Sequence, residues 1–400
     1  MVRVTYLPLF VTILFRGMPG MWKGRHRLVL CWLIVMPALF PGRKTLEELA
    51  RWTPGSITAW HLRRLRKAAY WHSHLLVEWW GQEAFNTVPP PKDGTLFLVG
   101  DGSGKPKRGT QNPMAQKGRT SEQQPGFFGV RFARLIATGD GYRFPVAFRL
   151  IRPKTHPEYR TENALFREMV RHFVPPAWAM RVMVEGDAAY GSQENRPMVL
   201  KRDAEDPARR WGFVFAIART WKTVEDKAIK DGVTHVPRQD DQRTRVPRLP
   251  GTTGCQTFWV SSTRLCLRHI GDVTVVLRKK GRNVGPKQTK ILVTHLDEWI
   301  PRQVVCAYQR RWPVEHINRE LQTDLGLGEH QVSKDERRIE KSFGIAVLAY
   351  LLLLRACHQE IVPGKSWSIA QLQHTFRLRV MTNQVEHNLK ARLTKARKVA

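Results

Sequence analysis

Four hundred residues exceed one ordinary domain, and a hydrophobic fraction of 42% supplies real cores, which excludes a disordered chain. The 66 Lys and Arg against 34 Asp and Glu leave a net charge of +32, and such an excess repels itself in a compact state. A nucleic acid is therefore the expected partner, with affinity falling steeply as salt rises, because each neutralised phosphate releases counterions.

Two apolar runs open the chain, at residues 6–15 and 28–40, the second containing Pro37. Both fall short of the ~20 residues that cross a bilayer, and Arg16 and the basic stretch 23–27 do not suit a signal peptide. They read as core segments of a helical region. Thr45 is placed to cap a helix, with Glu48 as its capping-box partner. A Pro-Gly break then separates this helix from a second, basic one carrying Arg63, Arg64, Arg66 and Lys67, a shape that enters the major groove and also occurs as plain packing. The stiff connector at 88–94 (VPPPKDG) ends an N-terminal helical DNA-binding domain at 1–88.

The texture then changes to short β-type runs. TLFLVGD (95–101) and RVMVEGD (181–187) each end in an acid. Runs at 127–137 and 143–151 flank the hairpin signal at Gly139 and Gly141, and a further strand is expected at 211–217. Helices are expected at about 160–174 and 192–202. Strand–strand–strand–helix–strand–helix–strand is the order of an α/β, RNase H-like core. Its first part is assigned to 89–218, and 219–297, with strand-like runs at 256–261, 272–279 and 290–296, reads as a β-rich insertion before the last catalytic helix. The core resumes over 298–360 with a buried helix at 343–358, and 361–400 is a basic C-terminal region whose end reads as loosely held and DNA-touching. The five cysteines, Cys31, Cys255, Cys266, Cys306 and Cys357, form no C-x-x-C pair, so a disulfide framework or zinc ribbon is not expected and a reducing cytoplasm fits.

Cutting and joining DNA needs an activated oxygen nucleophile and relief of charge on the phosphate, which two carboxylate-held metal ions supply. Mg²⁺ takes a few carboxylates plus water and substrate oxygens. Asp101 and Asp187 each follow an apolar strand and precede small residues (Asp101-Gly102-Ser103-Gly104 and Asp187-Ala188-Ala189-Tyr190-Gly191), which aims an acid into a crevice. Capping of the next turn explains either aspartate alone equally well. Along one continuous helix at ~100° per residue, Tyr308, Arg311, Glu315, Arg319 and Gln322 would share a single stripe. A solvated ladder with an Arg311–Glu315 pair gives the same period, and Pro313 fits better at a helix start than in an interior.

The run Tyr308-x2-Arg311-x3-Glu315 resembles the Y-x2-R-x3-E-x6-K signature of DDE-type bacterial insertion-sequence transposases, and Gln322 stands where that signature has Lys. ILVTHLDEW ahead of YQRRWPVE also looks like the strand-then-helix entry of those enzymes. The resemblance covers roughly 95–358. It implies that Asp101, Asp187 and Glu315 hold two Mg²⁺ ions, with Mn²⁺ able to substitute. It implies that Tyr308 and Arg311 contact phosphates near the transposon end, with Arg319 and Gln322 on the same stripe and Gln322 uncharged. Lys105, Lys107 and Arg108 are placed to track the DNA backbone or to be solvated. The implied partners are double-stranded DNA, as terminal repeats and target, and a second copy of the chain to join two ends. The implied location is cytoplasmic and nucleoid-associated.

Other readings rank lower. GDGSGKP at 100–106 is not a phosphate-binding loop, because Val99 stands where glycine is needed and Pro106 where Ser or Thr is needed. His72 and His74 lack a nearby cysteine or third acid and read as core or surface histidines. Glu185 shares a strand face with Asp187 and reads as a supporting or surface acid. Most of the 14 tryptophans should be core, with one near the site free to stack on an extruded base. A tyrosine recombinase fits the context of Tyr308 less well. A decayed or domesticated transposase that only binds DNA remains the alternative, with the three retained acids against it.

Overall fold

The computed structural model describes all residues except 1–3, 5, 20–24, 41, 43–44, 69–70, 107–111, 119–126, 140, 219, 226–228, 230–241, 248–253, 269, 283, 285–287, 328–333, 363–364, 366 and 400. Five helices come first: α1 (Leu9–Leu14), α2 (Arg25–Leu39), α3 (Leu46–Trp52), α4 (Ala59–Lys67) and α5 (Ser73–Ala84). The apolar run in α2 is buried from Val29 to Leu39. The Thr45 hydroxyl accepts the Glu48 backbone N–H at 3.2 Å and caps α3, while the Glu48 carboxylate turns to Arg51 and Trp52. Residues from these helices share one continuous apolar cluster with the sheet and the C-terminal helices.

A sheet of ten described strands follows. Its first strands are β1 (Thr95–Pro106), β2 (Gln116–Gly118), β3 (Phe127–Thr138) and β4 (Arg143–Ile151). After α6 (Glu162–His172) come β5 (Arg181–Gly186), α7 (Asn195–Glu205) and β6 (Arg210–Ala216). The order β4–β3–β1–β5–β6, with an antiparallel β1–β3–β4 meander and with β5 and β6 parallel to β1, is the RNase H-like arrangement. The hairpin turns at Gly141 (φ 90°), a left-handed conformation that glycine adopts without steric cost.

The later strands do not form a separate sheet. They are β7 (Gln242–Pro247), β8 (Cys255–Leu267), β9 (Gly271–Lys279) and β10 (Lys290–Thr294). β10 pairs antiparallel with β6, and β9, β8 and β7 follow outward. Then come α8 (Pro301–Gln309), α9 (Pro313–Thr323), α10 (Glu336–Ala356) and α11 (Ile369–Val399). The expected buried helix at 343–358 coincides with α10 up to Ala356, where the helix ends, and residues 341–354 are all buried. The basic tail continues α11 as helix. Among the described residues no helix is long and apolar enough to cross a membrane.

One strand end differs from the sequence reading. β1 does not stop at Asp101 but runs on to Pro106. β5 accompanies it only as far as Val99, whereas β3 pairs with it to Pro106. Asp101 therefore lies mid-strand, but just past the point where its parallel neighbour ends. Its flanking glycines serve packing rather than a turn. A Cβ on Gly100 would meet Phe166 at 2.5 Å, and one on Gly102 would meet the Glu162 carboxylate at 2.1 Å.

Candidate active site

The candidate site lies where β5 ends and β1 continues. Asp187 is the first residue after β5. Its carboxylate accepts the Ala189 N–H at 2.9 Å, and its carbonyl accepts the N–H groups of Tyr190 and Gly191, each at 3.0 Å. Fully buried Asn195 donates to the Tyr190 carbonyl at 2.6 Å, so the turn carrying Asp187 is pinned from below.

Asp101 faces Arg134 across the β1–β3 ladder, and the two form an ion pair. Arg134 is 0% exposed, and its Nε and Nη1 have no hydrogen-bond partner. Asn318 of α9 donates to the same Asp101 oxygen at 3.2 Å, which ties α9 to β1. Burial raises the Asp101 pKa and Asp187 pushes the same way, against Arg134, Asn318 and Arg311.

Glu315 sits exposed in the first turn of α9. Arg311, just before that helix, is the group on which all three acids act. Burial opposes its charge, but Tyr308, Asp187, Asp101 and Glu315 together outweigh this and raise its pKa. The expected single stripe is broken. Pro313 lacks an N–H and opens a new helix, so Tyr308 lies in the last turn of α8, Arg311 in the connecting turn, and Glu315, Arg319 and Gln322 in α9. Arg311 and Glu315 form no ion pair among the described residues.

Tyr308 is buried, its hydroxyl has no hydrogen-bond partner, and Lys290 and Arg311 each lie 5.7 Å from its ring centre. Arg319 is exposed, with its guanidinium 3.1 Å from His316 Nδ1, and Gln322 is exposed further along α9. Lys105 is half-buried near the end of β1, while Lys107 and Arg108 lie outside the described residues. Most described tryptophans pack inward, but Trp312, 52% exposed, stands between Arg311 and Pro313. His74 is committed to Glu340 at 2.7 Å, a structural pair.

Several groups escape the sequence reading. Glu162 opens α6 over Gly102, pairs with Arg131 and accepts the Tyr190 hydroxyl at 2.7 Å. Burial raises its pKa, and Asp101 and Asp187 add to the rise. Glu185, read from the sequence as a supporting or surface acid, is not at the surface: it is fully buried, neither of its oxygens has a hydrogen-bond partner, and burial outweighs Arg310 and Arg311 to hold its pKa well above the usual range. Arg134 did leave a signal, a second arginine three residues after Arg131 inside the otherwise apolar run VRFARLIAT (130–138).

The donors suit a hard divalent cation. They are carboxylate oxygens that repel one another, beside an Asn318 Oδ1 left without a partner. The set is not drawn together in advance. Among the described residues no three His, Cys, Asp or Glu side chains form a group that could hold a metal.

A family model described as a transposase DDE domain matches residues 93–352. Among solved structures, the chain is similar to the piggyBac transposase in a cryo-EM structure of its synaptic complex with hairpin DNA. The identity is 12% and the TM-score 0.47, with 95% of this chain and 77% of that one covered. No curated protein matches the chain.

Proposed function

The chain belongs to the transposase DDE-domain family, and on that premise we propose that it cuts DNA at transposon ends and joins the freed 3′-hydroxyls to target DNA by metal-dependent phosphoryl transfer. The observation that supports this most is the hydrogen bond from Asn318, on the same helix as Glu315, to Asp101, which brings the start of α9 to the place where β5 ends and Asp187 begins its turn. Asp101, Asp187 and Glu315 would hold two Mg²⁺ ions, or Mn²⁺ in their place, which supply an activated water and relieve charge on the scissile phosphate.

The remaining roles fall to this chain's own groups. Arg134 and Asn318 hold the Asp101 carboxylate in place, and the Asp187–Gly191 turn fixes its partner. Arg311, with Tyr308 behind it, grips a phosphate, and Arg319, Gln322, Lys105, Lys107 and Arg108 follow the backbone. Trp312 offers an exposed ring for an unstacked base. In this reading residues 1–88 bind DNA, 89–218 and 298–360 form the catalytic core, 219–297 is an insertion and 361–400 a basic C-terminal region. A homodimer holds two double-stranded ends, in the cytoplasm on the nucleoid.

A second reading, a decayed transposase that binds DNA without cutting it, draws support from Asp101 being already ion-paired and from the absence of a ready three-ligand group among the described residues. A Mg²⁺-dependent nicking assay on DNA carrying the element's ends separates the two. Wild type should nick and Asp187→Ala should lose about 10²–10³-fold in rate, a loss of the size that removing one preorganised electrostatic group produces. Equal rates from both, or normal binding with no nicking by wild type, contradict the enzyme reading.

A further inference from the structure

Away from this site, α4 packs against α10, and on the two facing helices Arg66 and Arg338 carry buried guanidinium nitrogens with no acid partner. Arg66 of α4 has Arg338 and Arg63 as its electrostatic neighbours, and these with burial push it down to about 10. Its Nε and Nη1, and the Nε of Arg338, are buried without a hydrogen-bond partner. No hydrogen bond or ion pair is described for either guanidinium.

The nearby acids are taken. Glu47 pairs with Arg63, Glu336 with Arg152 and His156, and Glu340 with His74, while Asp335 accepts the Arg338 backbone N–H at 2.8 Å as the cap of α10. Both arginines are half-buried, and charged nitrogens taken out of water without a partner cost stability unless something outside the chain compensates them. Two adjacent guanidiniums match the geometry of a phosphate, which accepts paired N–H donors.

The surface beside this pair says which phosphate. Trp60, Arg63, Arg64 and Lys67 are exposed along α4 at helical spacing, and the Arg64 guanidinium lies 5.1 Å from the Trp60 ring centre. α4 follows α3 through a short turn, with Thr58 and His61 bonded as its N-terminal cap. A basic helix of this kind, entered from a shorter helix, suits a DNA groove.

We propose that Arg66 and Arg338 form an anion site that grips one phosphodiester of duplex DNA beside the groove into which α4 docks. The site lies on the junction with α10, whose body is buried in the core, so it registers the bound DNA against the catalytic sheet rather than against α4 alone. The proposal rests on the reading that the chain binds DNA, and its test is independent of cutting.

The full-length chain is titrated with duplex DNA by fluorescence anisotropy over a range of salt, as wild type, Arg66→Gln, Arg338→Gln and the double variant. Loss of one phosphate contact lowers the slope of log K against log salt by about 1 and weakens binding about equally for any sequence. Melting of the free chain is the second readout. Removing unpaired like charges should leave Tm unchanged or raised, whereas arginines with a structural role would lower it. An unchanged slope and affinity in the double variant, or a lowered Tm, overturns the proposal. Inorganic phosphate at matched ionic strength is the third arm. A rise in wild-type Tm lost in the double variant, with no change in the DNA slope, overturns the DNA assignment in favour of a free-anion site. Normal nicking with an unchanged slope sinks this proposal alone, and a changed slope without nicking sinks only the catalytic reading.

Discussion

Arg149 and Arg134 are both arginines on the β3–β4 hairpin, and they are treated differently. Arg149 donates to Glu168 at 2.8 Å and Glu78 at 2.6 Å, and Arg160 completes the network on Glu168. Burial pulls the Arg149 pKa down, but these carboxylates outweigh it and raise it. Arg134 is more deeply buried, yet it meets only Asp101 and leaves two nitrogens unpartnered. A saturated network closes a structure. A half-satisfied one, beside a second aspartate that bears on the same Asp101, leaves groups that a ligand could complete.

The first way to break this comparison is Arg149→Met. It strands the partly buried Glu78 and weakens the hold on Glu168, so chemical denaturation should show a loss of about 3 kcal/mol, with nicking per folded molecule unchanged. Arg134→Met should do the reverse. Nicking should fall ~10–100-fold, as when the support of a metal ligand is removed, while stability drops less than for Arg149→Met. If the two variants lose stability alike and Arg134→Met still cuts normally, the contrast is empty.

His295 sharpens the argument from the other side, because not every unpartnered buried group is functional. It stacks on Phe213 with ring centres 4.7 Å apart, and neither nitrogen has a hydrogen-bond partner. Burial lowers its pKa from 6.5 to about 4. Between those values the unfolded chain holds a proton that the folded chain refuses. This contribution is therefore complete above pH 6.5 and is lost as pH falls through 4. His295→Phe should remove about 1–2 kcal/mol of the acid-side fall in stability without altering DNA cutting. A variant with the same pH–stability curve as wild type would contradict the assignment. The smallest effect is expected at Gly102→Ala. The new methyl displaces the Glu162 carboxylate, at a cost of about 1 kcal/mol in Tm-derived stability, and α6 can absorb part of it.

What could be read in the sequence was what local pattern encodes. Asp187 follows a short apolar strand and opens a tight turn, the hairpin announces itself at Gly139 and Gly141, and Pro313 marks a helix start that places Glu315 in a first turn. What could not be read depends on partners far along the chain. β1 outruns β5 because β3 supports it to Pro106, and nothing in residues 95–106 says so. Asp101–Arg134, Asn318–Asp101 and Tyr190–Glu162 join segments distant in sequence, so nothing local singles out Glu162. The stripe from Tyr308 to Gln322 assumed one helix, and the proline that argued against it prevailed. The strands after β6 looked like an insertion by composition, but their pairing edge-on to β6 is set by register with β10, which alternation alone does not reveal.

The central claim is that Asp101, Asp187 and Glu315 serve one divalent-cation site. Mn²⁺ titration of the full chain with duplex DNA, followed by electron paramagnetic resonance, tests it most directly. Wild type should bind Mn²⁺ tightly, and Asp101→Asn, Asp187→Asn and Glu315→Gln should each weaken that binding while the chain stays folded and DNA-bound. Mn²⁺ binding that is absent from wild type, or unchanged in all three variants, would contradict the account.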